Sequence, residues 1–232
     1  MAKCNIEMPE EVANPKPEFI PRLILLVLGM PWMNIIRKLG QFCRKLLCGQ
    51  TSEGMYEVLE YESTLELLDK QGKRAMFQKR EKVRYLQDNI IAYQDQAWGD
   101  GKILLNYRVT PGKAVDVYKP GRKSYILISL HGIKNKGDTD EFNIEWDLIN
   151  GFLRRRELWD TDVSHPTKWL MLRVIFPKNR PPLNASIIEG IRQRTHTLGV
   201  NSRVRLADGR WLIHWKTDHP RLYEQYGVQW EW

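Results

Sequence analysis

The chain has 232 residues, of which 42% are hydrophobic and 28% are charged. This apolar fraction is large enough for a hydrophobic core, so collagen-like, low-complexity and wholly disordered chains are excluded. The 36 Lys and Arg residues exceed the 28 Asp and Glu residues, giving a net charge of +8. A basic balance of this size suggests nucleic acid or an anionic membrane as a partner.

The first fifty residues divide into two segments. Residues 1–18 contain three prolines among four acidic residues and are predicted to form an extended tail. Residues 19–50 carry five basic residues and no acidic one, and include an apolar run from Leu23 to Met33. A bilayer-spanning helix needs roughly 20 apolar residues, and Pro31 interrupts this shorter run. The run therefore predicts a weak membrane anchor at most.

An amphipathic helix is predicted from Trp32 to Leu47, because apolar residues recur there at helical spacing. Its other face carries basic residues and no acidic one, as in helices that lie on anionic membranes. The predicted membrane contacts are Leu23, Leu25, Leu26, Trp32, Ile35, Ile36, Leu39, Phe42, Leu46 and Leu47, and the predicted anionic-surface contacts are Arg37, Lys38, Arg44 and Lys45. Docking of this segment on a protein partner or on the main domain explains the same pattern, and both interpretations stay open.

The hydrophobic period changes to two from residue 55 onward, which predicts strands. Two alternating runs flank the turn Lys70–Gly72 and predict a hairpin. The predicted register pairs Leu65 with Phe77, Leu59 with Val83, Glu62 with Arg80 and Glu60 with Lys82. Cross-strand ion pairs therefore explain the basic run Lys79–Arg84 better than a nucleic-acid site does.

Further strands are predicted downstream, and Ala185–Leu198 is interpreted as helical in preference to a strand. The predicted strands are Ile103–Val109, Tyr125–Leu130, Phe142–Trp146, Trp169–Phe176, Arg203–Leu206, a strand around Trp211–Lys216 and a last one around Tyr226–Trp232. Many short strands predict a mainly β, antiparallel sandwich-like domain over residues 51–232. Whether these residues form one domain or two β modules, at about 51–150 and 165–232, is left open.

Motifs that carry chemistry are absent from the sequence. There is no phosphate-cradling loop, zinc-protease motif or nucleophile elbow, and the five histidines are scattered. All three cysteines precede residue 50. We therefore predict no catalytic residue, metal ligand or cofactor, and no small-molecule ligand.

The last third of the chain holds a second basic region. Residues 151–232 contain 14 basic and 8 acidic residues, interleaved with aromatic ones. Basic side chains beside exposed aromatic rings suit single-stranded nucleic acid. The predicted nucleic-acid contacts are Arg154, Arg155, Arg156 and Trp159.

Together these patterns predict a non-enzymatic binding or assembly module at the cytoplasmic face of a membrane. It would be a peripheral protein or one held by a single weak anchor, with residues 19–50 contacting anionic lipid or a protein partner. The alternatives are a nucleic-acid-binding β module and an enzyme whose site the sequence does not reveal.

Overall fold

The structure is a computed structural model, and it describes residues 54–232. These residues contain almost no helix and form fourteen strands, which confirms the predicted mainly β fold. The strands are β1 (Tyr56–Leu67), β2 (Arg74–Tyr85), β3 (Ile90–Ala97), β4 (Lys102–Thr110), β5 (Lys113–Tyr118), β6 (Ser124–Lys134), β7 (Thr139–Ile149), β8 (Arg156–Asp162), β9 (Trp169–Phe176), β10 (Asn184–Glu189), β11 (Arg194–Thr197), β12 (Arg203–Arg205), β13 (Trp211–Asp218) and β14 (Gln225–Glu231).

The described strands form three sheets. The largest has seven strands in the order β12-β13-β9-β1-β2-β7-β4, the second has the order β11-β10-β14-β8, and the third has the order β3-β6-β5. Among these strands, β1 and β9 pair in parallel and the other pairings are antiparallel. One buried hydrophobic cluster draws side chains from all three sheets, including Leu65 in β1, Ile128 in β6 and Val228 in β14.

The β1–β2 hairpin follows the predicted turn. The Asp69 carboxylate accepts backbone N–H bonds from Gln71, Lys73 and Arg74, at 2.9, 3.0 and 2.8 Å. Gly72 has a φ of +69°, the left-handed conformation that glycine adopts at no steric cost. These local preferences close the turn and set the register of the two longest paired strands.

The predicted hairpin register is confirmed for three of its four pairs. Leu65 faces Phe77, and the acidic residues of β1 face basic residues of β2 as predicted. The prediction for Leu59 was wrong, because a register shift between Val58 and Glu60 places Val58 opposite Val83. A bulge of this kind puts two residues of one strand against one of its partner, and alternation alone does not reveal it.

Arg80 supports the ion-pair interpretation of the basic run. Its guanidinium contacts Glu60 at 2.6 Å, Glu141 at 3.1 Å and also Glu62. These partners lie on β1 and β7, the two neighbours of β2, so one side chain joins three strands. The even-numbered basic residues of β2 therefore stabilise the sheet through ion pairs.

The helical interpretation of Ala185–Leu198 was wrong, because this segment forms β10 and β11. Ala185 and Ile187 are buried and alternate with more exposed neighbours, which is a period of two. Antiparallel pairing sets Ile187 opposite Val228, and this tertiary contact outweighs the local helical pattern.

The membrane prediction concerns residues outside the described part of the chain. Within residues 54–232, no helix has the length and apolar character that crossing a membrane requires. The predicted tail, the apolar run and the amphipathic helix all precede residue 54 and are not described.

Candidate functional site

The polar interior begins with two charged residues on the buried face of β2. Ala75, Phe77, Val83 and Tyr85 occupy this face, and the alternation of a strand places residues 79 and 81 beside them. Lys79 and Glu81 are consequently buried in the middle of an otherwise apolar series.

Lys79 joins two carboxylates in what we call the ion cluster, Lys79, Glu81 and Asp95. Its Nζ lies 2.5 Å from Asp95 Oδ1 and 2.9 Å from Glu81 Oε2. The side chains are only 6%, 6% and 2% exposed for Lys79, Glu81 and Asp95. Removing charges from water costs several kcal/mol per ion, so a buried cluster of this kind is weak evidence of a purely stabilising role.

Tyrosine hydroxyls complete the cluster. Tyr93 donates to Glu81 Oε2 at 2.7 Å, and Tyr107 donates to Asp95 Oδ2 at 2.9 Å. Tyr61 shares a 2.9 Å hydrogen bond with Thr161. The Lys79 ammonium also lies 5.7 Å from the centroid of the Tyr61 ring and 5.9 Å from that of Tyr93. These contacts fix the cluster between β1, β2 and β3.

The cluster keeps its lysine charged and its tyrosines neutral. Burial alone lowers the pKa of Lys79, but the carboxylates of Asp95 and Glu81 outweigh it and raise that pKa well above its ordinary value. Burial raises the pKa of Tyr61 to about 12. Burial and the Glu81 carboxylate also raise the pKa values of Tyr56 and Tyr93 well above the usual range.

A cavity of about 230 Å³ lies against the cluster, and we call it the Lys79 cavity. Beyond the ion cluster, its walls combine aromatic rings with hydroxyl and amide groups. The Tyr56 ring stacks on His165 with 4.1 Å between centroids, and Ser164 Oγ lies 3.1 Å from His165 Nδ1. A concave, partly aromatic site with converging polar groups is the usual form of a small-molecule site.

Trp98, directly after β3, lines the Lys79 cavity and also a second cleft of about 590 Å³. We call the latter the tryptophan cleft, because Trp98, Trp146 and Trp159 line it. Trp98 Nε1 donates to Asp160 Oδ1 at 2.5 Å. The Lys123 ammonium lies 4.7 Å from the centroid of the Trp98 ring and pairs with Asp162.

The structure brings three of the four predicted nucleic-acid residues to the tryptophan cleft. Arg154, Arg156 and Trp159 line it, whereas Arg155 is exposed outside its lining. Two of these cations already have carboxylate partners: Arg154 lies 3.1 Å from Asp100, and Arg156 Nε donates to Glu231 at 2.8 Å. Trp159 packs edge-on against Phe77, with 5.8 Å between centroids.

Acidic groups further reduce the positive charge of this cleft. Glu157 and Asp160 line it together with the arginines. Burial raises the pKa of both carboxyl groups above the ordinary value, partly offset for Asp160 by the hydrogen bond from Trp98. The tryptophan cleft is therefore a mixed-charge surface, in contrast with the uniformly basic groove typical of single-strand binding.

Metal ligands are not grouped in the described part of the chain. Within residues 54–232, no three His, Cys, Asp or Glu side chains converge in a way that could hold a metal ion.

Sequence reasoning missed the ion cluster, although the sequence contains its signal. Apolar residues occupy the buried face of β2 except at positions 79 and 81, where a lysine and a glutamate of opposite charge stand instead. Asp95 lies on β3, a strand that was not predicted. A charge at a core position of an alternating strand indicates a buried ion pair that needs partners from another strand.

No protein-family model and no curated protein match the chain. Among solved structures it is similar to the M1 zinc metallopeptidase of Deinococcus radiodurans, with TM-score 0.40 and 12% identity over 75% of this chain and 42% of that one. It is also similar to a protein of Parabacteroides distasonis described as a protease, with TM-score 0.43 and 12% identity over 78% and 41% of the two chains. The chain thus spans less than half of either structure, and likenesses this remote assign neither a family nor a function.

Proposed function

We propose that this chain is a non-enzymatic binding module held at the cytoplasmic face of a membrane by residues 19–50. Its three sheets would pack as a sandwich-like domain that carries the ligand site. The observation that carries the proposal is the Lys79 cavity, where buried charges that are costly to maintain adjoin about 230 Å³ of space. A role in ligand binding explains why the protein buries charges that add little to its stability.

The protonation of Lys79 and Tyr61 suits binding better than catalysis. General acid–base catalysis works best with a group whose pKa lies near the working pH. In the cavity, the pKa of Lys79 is raised well above its ordinary value and that of Tyr61 reaches about 12, so both groups hold their protons firmly. These shifts give the cavity a fixed pattern of charge, which suits binding.

The distribution of charge supports the membrane half of the proposal. The described domain pairs many of its basic side chains internally, including Arg80, Arg154, Arg156 and Arg210. Residues 19–50 contain five basic residues and no acidic residue that could pair with them. Each basic residue near an anionic leaflet contributes about 1 kcal/mol of binding.

Vesicle co-sedimentation of the full chain tests this assignment. The quadruple change of Arg37, Lys38, Arg44 and Lys45 to Gln should weaken binding to phosphatidylserine-containing vesicles by about 10³, from about 1 kcal/mol per charge. The control changes Arg154, Arg155 and Arg156 to Gln, which removes a similar charge from the described domain.

We expect the control protein to bind vesicles as the unchanged chain does. Equal loss in both variants would mean that net charge, and not residues 19–50, drives binding. Full binding by the quadruple variant would contradict membrane attachment through this segment.

Nucleic-acid binding is the second candidate, favoured by the gathering of Arg154, Arg156 and Trp159 at one cleft. It predicts that affinity for single-stranded oligonucleotides falls steeply with salt and is lost in the Arg154–Arg156 variant. Because Arg154 and Arg156 are already paired with carboxylates, we expect weak binding with a shallow salt dependence. An enzyme is the third candidate, and turnover that depends on the Lys79 cavity would favour it.

A further inference from the structure

The ion cluster has an unbalanced charge. One ammonium, Lys79, faces two carboxylates, Glu81 and Asp95, and all three side chains are at least nine-tenths buried. The hydroxyls that reach the cluster, from Tyr93 and Tyr107, donate hydrogen bonds but carry no positive charge. The formal balance beside the cavity is therefore one negative charge in excess, which a bound cation would offset.

Glu81 leaves one carboxylate oxygen for a ligand. The contacts of Lys79 and Tyr93 with Glu81 both reach its Oε2 atom, so these contacts leave Oε1 available at the cavity that Glu81 lines. Ser63 lies directly across from Lys79 on β1, outside the cavity lining, and its buried Oγ has no hydrogen-bond partner in the described residues. Unsatisfied buried polar atoms are rare in native proteins and often mark a missing partner.

The surrounding rings already accommodate cations. The Lys79 ammonium lies over Tyr61 and Tyr93, and the ammonium of Lys123, which lines the tryptophan cleft, lies over Trp98, a residue shared by the two cavities. An ammonium group over an aromatic face gains electrostatic energy, most when it is shielded from water. The Lys79 cavity thus combines carboxylate oxygens with aromatic walls, the two chemistries that recognise ammonium groups.

Size and charge narrow the class of ligand. About 230 Å³ corresponds to roughly eight water molecules, at about 30 Å³ each. An anion would meet the excess carboxylate, and the described residues do not gather three ligands for a metal ion. A small organic cation fits the cavity volume and offsets the excess negative charge.

We propose that the Lys79 cavity binds the ammonium group of a small primary amine, with Glu81 Oε1 as its main acceptor. This deepens the binding half of the proposed function and does not depend on membrane attachment. The amine would lie beside Lys79 and complete the charge balance of the ion cluster. The half-buried side chains of Gln94 and Ser164, which also line the cavity, would contact the rest of the molecule.

Calorimetric titration of the full chain with three matched probes tests the proposal. Butylammonium, n-butanol and butyrate share a four-carbon chain but differ in charge. Butylammonium should bind at least tenfold tighter than n-butanol, and butyrate should not bind. Equal binding of the amine and the alcohol, or no binding of the amine, would overturn the proposal.

Variants locate the site. Glu81→Gln should weaken butylammonium binding at least tenfold, whereas Asp116→Asn, which removes an exposed carboxylate on β5, should leave it unchanged. Gln94→Glu adds a carboxylate to the cavity wall and should tighten binding several-fold, a gain that misfolding cannot imitate. An unchanged affinity in Gln94→Glu, or an unchanged affinity in Glu81→Gln, would exclude the cavity.

The vesicle experiment separates this inference from the proposed function. Amine binding without vesicle binding would leave the cavity assignment intact and remove the membrane assignment. Vesicle binding without amine binding would mean that the ion cluster serves only the fold.

Discussion

Lys79 organises the polar interior, because it is the single cation among two carboxylates and two aromatic rings. Its neighbours on β2 show how position alone changes the role of a residue type. Arg80 points to the other face and forms half-exposed ion pairs, whereas Lys79 is buried one residue earlier. The same basic run thus supplies both sheet pairing and the candidate site.

Replacing Lys79 should destabilise the domain far more than replacing its exposed neighbour. Lys79→Met leaves two carboxylates buried without their cation, a change that costs about 3–5 kcal/mol. The control Lys82→Met removes a half-exposed lysine 4.0 Å from Glu60 and should cost at most about 1 kcal/mol. Urea unfolding of both variants measures the difference, and similar free energies of unfolding would contradict a buried charge cluster.

Asp160 and Asp208 should give opposite pH dependences. Burial raises the pKa of Asp160 in the folded state, so its contribution to stability is present at low pH and is lost as the pH rises through that pKa. Hydrogen bonds from Arg210 lower the pKa of Asp208 even against burial, so its contribution is present at neutral pH and is lost on acidification.

The matched variants are Asp160→Asn and Asp208→Asn. Relative to the unchanged chain, Asp160→Asn should gain stability between pH 4 and pH 7, because it removes a buried charge and keeps an acceptor for Trp98. Asp208→Asn should be less stable than the unchanged chain at neutral pH, and this loss should shrink as the pH falls below the ordinary pKa of 3.8. Free energies of unfolding of both variants at pH 7, at pH 4 and at a pH below 3.8 measure these differences, and pH dependences of the same sign would refute the assignment.

At the scale of elements, the hairpin β1–β2 is the part that local sequence determines best. Its turn chemistry and alternation predicted both strands and most of the register. The strands β3, β5 and β8 were not predicted, and β10–β11 was interpreted as helical. These strands depend on partners distant in sequence, such as β6 for β3 and β14 for β8 and β10. Local pattern carries little information about such pairing.

Gly72 and Gly121 provide a matched test of the hairpin turn. Both have positive φ angles, +69° and +75°. A Cβ on Gly72 would lie 1.8 Å from the carbonyl oxygen of Phe152, whereas one on Gly121 would meet nothing within 4 Å. Gly121→Ala should therefore cost about 1 kcal/mol for its backbone conformation, and Gly72→Ala should cost several-fold more.

Thermal unfolding of the two glycine variants checks this prediction. Equal losses would mean that the close approach of Gly72 to Phe152 does not constrain the hairpin.

The candidate site was only partly predictable from the sequence, because it too depends on residues that are distant from one another along the chain. Three of the four predicted nucleic-acid residues meet at one cleft, but the carboxylates that pair with them, Asp100 and Glu231, lie far along the chain. The ion cluster joins β2 to β3 and gains Tyr107 from β4. A sequence shows which residues are charged, and the fold decides which of them neutralise one another.

At the scale of the whole molecule, the basic residues behind the net charge of +8 differ in how many carboxylates lie near them. Ion pairs neutralise many basic residues of the described domain, while the five basic residues of segment 19–50 have no acidic neighbour within that segment. Basic charge without nearby carboxylates binds anionic surfaces more strongly than paired charge does. We therefore propose membrane contact for the N-terminal segment and ligand contact for the β domain.

Hydrogen–deuterium exchange of the full chain, with and without phosphatidylserine-containing vesicles, tests this division most directly. We predict that vesicles slow exchange within residues 19–50 and leave exchange in strands β1 to β14 unchanged. Slowed exchange around Arg154–Trp159 without any change in residues 19–50 would contradict it.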